Sequence, residues 1–249
     1  MNHLEVRGLV KRFGGLLATD HVDLDLARGE LHAVIGPNGA GKTTLINQLS
    51  GEIIPDEGRI VFDGQDLTRE PPHRRAMAGL GRSFQITSVF NDFTVLQNAA
   101  LAVQAHAGHS FRFWRPAALE AALTQPAMAA LEQVGLTARA HTPVAALAHG
   151  ERRQLEIAMV LATGAKCLLL DEPMAGMSPA ESEAVVALLR RLKGEHTILL
   201  VEHDMDAVFA LADRLTVLVY GRPIATGTPE QIRNQPEVRE AYLGEAEHL

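Results

Sequence analysis

A short stretch after an apolar run has the composition of a phosphate-binding loop. Residues 36–43 read GPNGAGKT and fit the pattern G-x-x-x-x-G-K-[S/T]. Glycine lets backbone N–H groups point at the β-phosphate of a nucleotide, and the helix expected next adds the positive end of its dipole. We expect the Lys42 ammonium to reach the β- and γ-phosphate oxygens and the Thr43 hydroxyl to bind Mg²⁺. The predicted nucleotide contacts are Gly36, Pro37, Asn38, Gly39, Ala40, Gly41, Lys42, Thr43 and Thr44.

Two adjacent acids follow a second apolar run, Cys167–Leu170. Asp171 suits a direct or water-mediated contact with Mg²⁺, and Glu172 suits a general base that orients or deprotonates the attacking water. Alone, this pair would be better explained as the acidic cap of a helix. Together with the glycine loop, it predicts a nucleoside triphosphate hydrolase.

The hydrophobic pattern predicts the elements that must position these groups. Leu31–Ile35 reads as a buried strand that feeds the glycine loop, with a helix over Lys42–Leu49. Leu4–Val10 and Val22–Leu26 alternate apolar and polar residues as strands do, and residues 55–64 read as turn, strand, turn. The first part of the chain therefore combines hairpins with one strand–loop–helix unit.

Residues 94–163 lose the strand signals and then strand–helix alternation resumes. Ala-rich helices are predicted at Thr94–Gln104, Ala117–Gly135 and Gly150–Thr163, punctuated by Pro116, Pro126 and Pro143. Later strands are predicted at 167–170, 197–201, 215–220 and 224–226, with helices capped by Ser178 and Thr228 and another at Asp204–Leu211. The pattern indicates an α/β chain with a helical insert.

Composition narrows the class of protein. The 249 residues carry a net charge of -7, which argues weakly against a nucleic-acid partner. The single cysteine, Cys167, cannot form an internal disulfide, suits the core and fits a reducing compartment. We find no signal segment at the N-terminus and no apolar run near the ~20 residues that cross a bilayer. If the protein acts at a membrane, another chain must span it.

A third motif narrows the class further. Residues 147–158 read LAHGERRQLEIA and resemble the signature sequence of ABC ATPases. Gln85 in GRSFQ resembles the glutamine loop of that family, His203 in VEHD its switch histidine, and Phe13 the aromatic residue that stacks on adenine. The resemblance implies a P-loop NTPase fold with a RecA-like core, an antiparallel β subdomain and a helical subdomain. The core would span residues 1–85 and 164–249, and the helical subdomain 86–163.

The same resemblance implies a division of roles. ABC ATPase domains pair head to tail, so ATP would lie between the glycine loop of one copy and Ala148, His149, Gly150 and Glu151 of the other. Implied catalytic residues are Glu172, His203, Gln85 and Lys42, and implied Mg²⁺ contacts are Thr43, Gln85 and Asp171. His203 would contact the γ-phosphate or the attacking water, and Gln85 would link the site to the helical subdomain.

Two residues depart from the family pattern. Ala148 replaces the usual serine of the signature, so its contact with the γ-phosphate must come from backbone N–H groups or be weaker. Ser178 replaces the aspartate that usually follows the two acids, and its simplest role is that of a helix cap. The contact across the dimer that this aspartate normally makes is therefore in question.

Several stretches resemble one branch of the family, the ATPases of importers for branched-chain amino acids, urea or amides. The clearest is GLGRSFQITSVFNDFTVLQNA around Gln85, and the N- and C-terminal stretches agree with it. The chain resembles the longer ATPase of such systems. The implied partners are a second ATPase subunit, identical or different, two permeases and, indirectly, a periplasmic binding protein, at the cytoplasmic face of the cell membrane.

Alternatives remain at this stage. Residues 86–93 would face the permease, or would pack inside the helical insert. The aromatic and basic cluster at 109–116 would touch lipid headgroups or a partner, or would form a loop packed on the insert. A soluble ABC ATPase without a permease, of the iron–sulfur assembly type, is the second hypothesis for the whole chain. The sequence does not identify the solute, because the ATPase does not touch it.

Overall fold

The structure is a computed structural model that describes residues 2–83, 89–107 and 121–238. Predictions for Gln85, for residues 86–88 and for the cluster at 109–116 lie outside the described residues. In chain order the elements are β1 (Asn2–Phe13), β2 (Leu16–Ala27), β3 (Leu31–Ile35), α1 (Lys42–Ser50), β4 (Glu57–Phe62), β5 (Gln65–Asp66), α2 (Pro72–Ala78), β6 (Leu80–Arg82), α3 (Val95–Ala107), α4 (Ala121–Val134), α5 (His149–Ala162), β7 (Cys167–Asp171), α6 (Pro179–Leu192), β8 (Thr197–Val201), α7 (Met205–Leu211), β9 (Arg214–Val219), β10 (Arg222–Gly227) and α8 (Pro229–Arg233).

Two sheets form the framework. The first is antiparallel, with strands in the order β2-β1-β4-β5. The second has the order β10-β9-β3-β8-β7-β6, and its strands from β9 to β6 run parallel. The carboxyl ends of β3, β8 and β7 therefore meet at one edge of the sheet, where ligands of open α/β sheets bind.

The central strand residues alternate between two apolar cores. Leu168 and Leu170 belong to a cluster that includes residues of α3, α4, α5 and α6. Cys167 and Leu169 face the other side, where residues of β1, β2 and α1 pack. Burial raises the pKa of the Cys167 thiol to about 12, so this side chain is a core residue with an unreactive thiol.

The predicted strands are present, and β1 and β2 extend beyond their predicted ends. The predicted caps are confirmed, since Ser178 accepts a bond from the Glu181 amide and Thr228 accepts one from the Gln231 amide. Pro126 does not interrupt its helix; it lies inside α4 on the exposed face, opposite the buried Ala127 and Leu131. The packing of that buried face offsets the hydrogen bond lost at the proline.

The short elements α2 and β6 are absent from the sequence prediction. The seven residues of α2 begin at Pro72, and a Gly79 with φ of 105° ends the helix. The three residues of β6 pair with β7 in parallel, Arg82 opposite Leu169. Neither element is long enough to show a hydrophobic period, so only the neighbouring strand reveals β6. In the described part of the chain, no helix is long and apolar enough to span a bilayer.

Candidate functional site

The glycine loop joins β3 to α1 and is fixed by backbone contacts. The carbonyl of Ala40 accepts a hydrogen bond from the Gly221 amide at 2.9 Å, and the Gly221 carbonyl accepts one from the Asp20 amide at 2.9 Å. Gly41 has a φ of 100°, and a Cβ atom there would lie 2.1 Å from the Ala18 carbonyl oxygen. Only glycine fits at this position, and the loop, the β1–β2 hairpin and the β9–β10 turn form one unit.

Lys42 is buried and points its charge into the loop. Its ammonium donates to the carbonyl oxygens of Gly36 at 2.6 Å and Pro37 at 3.0 Å. The next residue, Thr43, is exposed in the first turn of α1. A cation held by loop carbonyls beside a helix N-terminus gives the site the charge and the donors that a phosphate chain requires.

Phe13 lies at the end of β1, where the hairpin turns. Its side chain is 46% exposed, and the Lys11 ammonium is 5.7 Å from the centre of its ring. The same hairpin touches the glycine loop at Ala18. An exposed aromatic face on an element fixed to a phosphate loop is suited to stacking on a base.

Asp171 ends β7 in a fully buried position. Among the residues that the structure describes, neither oxygen of its carboxylate has a hydrogen-bond partner, and the Arg82 guanidinium approaches Oδ2 only to 3.6 Å. Burial raises the pKa of Asp171, and Arg82 opposes that effect. A buried carboxylate with free oxygens is costly until a cation arrives, so its chemistry fits a Mg²⁺ contact.

Glu172 follows with a backbone that non-glycine residues rarely adopt. Its φ is 47°, and its amide donates to the Val201 carbonyl at 2.8 Å. Such a left-handed residue costs about 1–3 kcal/mol and persists only where neighbouring contacts hold it. The strain is therefore stored where β7 ends beside β8, next to the predicted metal contact.

Glu202 joins the loops that follow β7 and β8, a role that no motif in the sequence indicates. Its buried carboxylate accepts hydrogen bonds from the Met174 amide at 2.9 Å and from the His203 amide at 3.0 Å. The His203 imidazole is 65% exposed, with Nδ1 3.7 Å from Glu202. The His203 imidazole is therefore exposed at the strand ends, and the buried Glu202 carboxylate holds its backbone in place.

The signature residues lie at the start of α5. Ala148 is the N-cap and its amide donates to the Glu151 carboxylate at 3.0 Å, which is half of a capping box. The Gly150 amide donates to Oε1 of Glu181 at 3.0 Å, while Oε2 of that carboxylate accepts from Ser178. Bonds from Ser178 and from Gly150 lower the pKa of Glu181 to about 2.

Arg153 connects this helix to the two acids, a role that the sequence analysis misses. From the second turn of α5, its guanidinium donates to the carbonyl oxygens of Asp171 at 3.1 Å, Glu172 at 3.2 Å and Pro173 at 3.1 Å. From the sequence, Arg153 could be paired only with Glu156, three residues later on the same helix. The carbonyls that it reaches depend on tertiary structure, so the pair alone does not reveal the contact.

Known proteins share this architecture over nearly the full chain. The family profile described as ABC transporter matches residues 19–175, and one described as Branched-chain amino acid ATP-binding cassette transporter matches residues 222–248. The chain is similar to a crystal structure of the ADP conformation of an ATP-binding cassette of an ABC transporter, with a TM-score of 0.87 and 32% identity over 98% of this chain and 99% of that one. A nucleotide-free cassette gives a TM-score of 0.86 and 31% identity, over 97% and 99%.

Curated relatives cover the chain equally well. The high-affinity branched-chain amino acid transport ATP-binding protein BraF of Pseudomonas aeruginosa is 43% identical, over 98% of both chains. LivG of Escherichia coli, which has the same description, is also 43% identical over 98% of both chains. A probable LivG of Archaeoglobus fulgidus is 36% identical, over 98% of this chain and 96% of that one.

Proposed function

Because the chain belongs to the ABC transporter family of ATP-binding proteins, we propose that it is the ATP-hydrolysing subunit of an importer for branched-chain amino acids or related small polar solutes. Its fold is the cassette fold, with an α/β core, an antiparallel sheet and a helical part. The observation that carries the solute class is the near full-length likeness to importer ATPases, which includes the separate C-terminal match at residues 222–248.

In this proposal the ends of β3, β7 and β8 hold and hydrolyse ATP. Lys42 and the loop residues 36–44 bind the phosphates, and Phe13 stacks on the adenine. Glu172 takes a proton from the attacking water, and His203 orients that water or contacts the γ-phosphate. Support comes from the sheet order, which places β3 and β7 on either side of β8.

Mg²⁺ would be held by Thr43, Asp171 and Gln85, and when bound it neutralises charge on the β- and γ-phosphates. The support in the described residues is the buried Asp171 carboxylate with two unpaired oxygens. Thr43 begins α1 in an exposed position, so its hydroxyl is accessible.

The cassette works as a pair in this proposal, with Ala148, His149, Gly150 and Glu151 serving the nucleotide of the other subunit. The division follows the chain: residues 1–85 and 164–249 hold ATP, and residues 86–163 present the signature. His149 is exposed at the start of α5, as a residue that meets another subunit must be. ATP at the interface favours the closed pair, and hydrolysis removes the bridging group.

The two permeases would contact the cassettes at a groove of about 410 Å³ beside β6, and the motion of the pair would pass to them there. Its apolar wall consists of Pro72, Ala76, Leu80, Ala102, Met159 and Val160. The groove borders Arg82 and Ser83, where the chain enters the segment of Gln85. A cytoplasmic permease segment with one apolar face suits this wall, and would place the chain at the inner face of the membrane.

A soluble assembly ATPase is the alternative, and it finds no support among the relatives named above, which are all transport proteins. The periplasmic binding protein would act on this chain only indirectly, through the permeases.

A mild-detergent pull-down of the tagged chain from host membranes tests the proposal, with partners identified by mass spectrometry. We expect two permeases and a second ATPase. A tagged Met159→Glu variant, which adds a charge to the apolar wall, should lose the permeases while it still unfolds cooperatively and binds ATP. Recovery of soluble partners alone from the unmodified chain would overturn the importer assignment.

A further inference from the structure

Arg82 lies between the nucleotide site and the groove. Its side chain is 9% exposed, and one guanidinium nitrogen pairs with Glu52 at 2.9 Å while the other is 3.6 Å from Oδ2 of Asp171. The first nitrogen also donates to Asn47 at 2.6 Å and to Ser50 at 3.2 Å, both on α1. One cation thus faces two carboxylates, one on each side of β6.

The two carboxylates differ in their surroundings. Glu52 lines the groove with a side chain that is 39% exposed, so a partner can reach it. Asp171 is fully buried, and among the described residues Arg82 is the cation within 4 Å of its carboxylate, while Arg153 and Lys42 act on it from farther away. The contact with Asp171 is longer than a hydrogen bond, whereas the contact with Glu52 is within bonding distance. In the structure, therefore, the guanidinium is bonded to Glu52, Asn47 and Ser50 and not to the Asp171 carboxylate.

We infer that Arg82 is a positioning residue for which Glu52 and Asp171 compete, so that the charge at Glu52 sets how readily Asp171 accepts Mg²⁺. When Glu52 holds the guanidinium, the oxygens of Asp171 stay available to a metal. When Glu52 is neutralised, Coulomb attraction draws the guanidinium towards Asp171, where it competes with Mg²⁺. Asn47 and Ser50 limit this movement to one end of the side chain.

A permease bound in the groove would change how readily the site binds Mg²⁺, and this part rests on the proposed function. A cationic side chain on the permease segment would pair with Glu52 and free Arg82 to move towards Asp171. Withdrawal of that cation would restore the availability of the carboxylate. The permease would thereby act on the metal step of ATP binding through a single charged side chain.

The test uses the isolated full chain, so it does not depend on a permease. Binding of a fluorescent ATP analogue is measured at controlled free Mg²⁺, and the Mg²⁺ midpoint is compared between variants. Glu52→Gln should raise the midpoint about three- to fivefold, the range expected for a partly exposed ion pair, and Glu52→Lys should raise it further. Arg82→Gln should lower the midpoint, and Glu52→Gln should then have no additional effect.

Matched controls separate this effect from net charge and folding. Glu57→Gln and Glu57→Lys make the same charge changes at a carboxylate paired with Arg12 in the other sheet, and should leave the midpoint unchanged. Thermal midpoints from circular dichroism identify variants that fail to fold, and the Glu52 series remains decisive if Arg82→Gln is one of them.

An unchanged Mg²⁺ midpoint in both Glu52 variants would overturn the inference, as would an equal shift by Glu52→Gln with and without Arg82. Failure of the pull-down above would leave these results unaffected.

Discussion

In the proposed pair, the glycine loop of one subunit and the signature of the other contact the same nucleotide, and the two regions are held in place in different ways. The loop is fixed by backbone bonds from Gly221 and by the close approach of Ala18 to Gly41. The start of α5 is held by side-chain contacts: the Gly150 amide donates to Glu181 of α6, and the Arg139 guanidinium donates to Glu151. Backbone bonds keep the loop ready for phosphates without reorganisation, whereas side-chain contacts at a surface can exchange one partner for another.

Glu172→Gln tests the catalytic side and should have the largest effect. Loss of the general base should reduce ATP turnover at least about a hundredfold, while ATP binding is kept because the glycine loop is intact. Turnover is measured by phosphate release and binding with a fluorescent ATP analogue. Glu183→Gln, on the exposed face of α6, is the matched control and should change neither quantity. Retained turnover in Glu172→Gln would remove the base assignment.

Gly41→Ala tests the rigidity of the loop. The added Cβ would lie 2.1 Å from the Ala18 carbonyl oxygen, so the hairpin must shift and ATP affinity should fall at least about tenfold. Gly39→Ala is the control for backbone strain alone, because its φ is also positive and its Cβ would meet nothing within 4 Å. Equal losses in both variants would mean that strain, rather than the contact with Ala18, limits the loop.

The Glu181 carboxylate makes the signature end sensitive to acid. Its pKa is about 2 in the fold against an ordinary value of 4.5, so the stability it contributes is present above pH 4.5 and is lost as the pH falls towards 2. We expect Glu181→Gln to lower the urea midpoint at pH 7, and the difference from the unmodified chain to shrink on acidification. Glu183→Gln should show no such pH-dependent difference. A constant difference at every pH would contradict the assignment.

His149→Ala should have the smallest effect on the isolated chain. In the head-to-tail arrangement this residue serves the nucleotide of the other subunit, so ATP affinity of the single chain should be unchanged. A binding titration on the monomer checks this, with Gly41→Ala as the variant expected to act within the chain. Loss of ATP binding in His149→Ala would contradict the head-to-tail arrangement for this protein.

The parts predicted from sequence are those with local signals. The glycine loop, the strand before Asp171 and the cap at Ser178 depend on residues that are neighbours in the chain, and the structure contains all three. Arg82 and Glu202 give no such signal, because Arg82 bonds to residues of α1 and Glu202 accepts a bond from the Met174 amide after β7. A three-residue strand such as β6 gives no period, and its arginine acquires a role only when α1 and β7 lie beside it.

The position of β3 in the sheet has a consequence for how the protein is made. This early strand pairs with β8 and β9, the latest parallel strands to be synthesised. Until residue 219 has left the ribosome, the strand that presents the glycine loop lacks one of its neighbours. At about 5–20 residues per second, the nascent chain therefore waits roughly 10–40 s before it can bind ATP. During that interval an apolar strand has an unpaired edge, which exposes it to association with other chains and to chaperones.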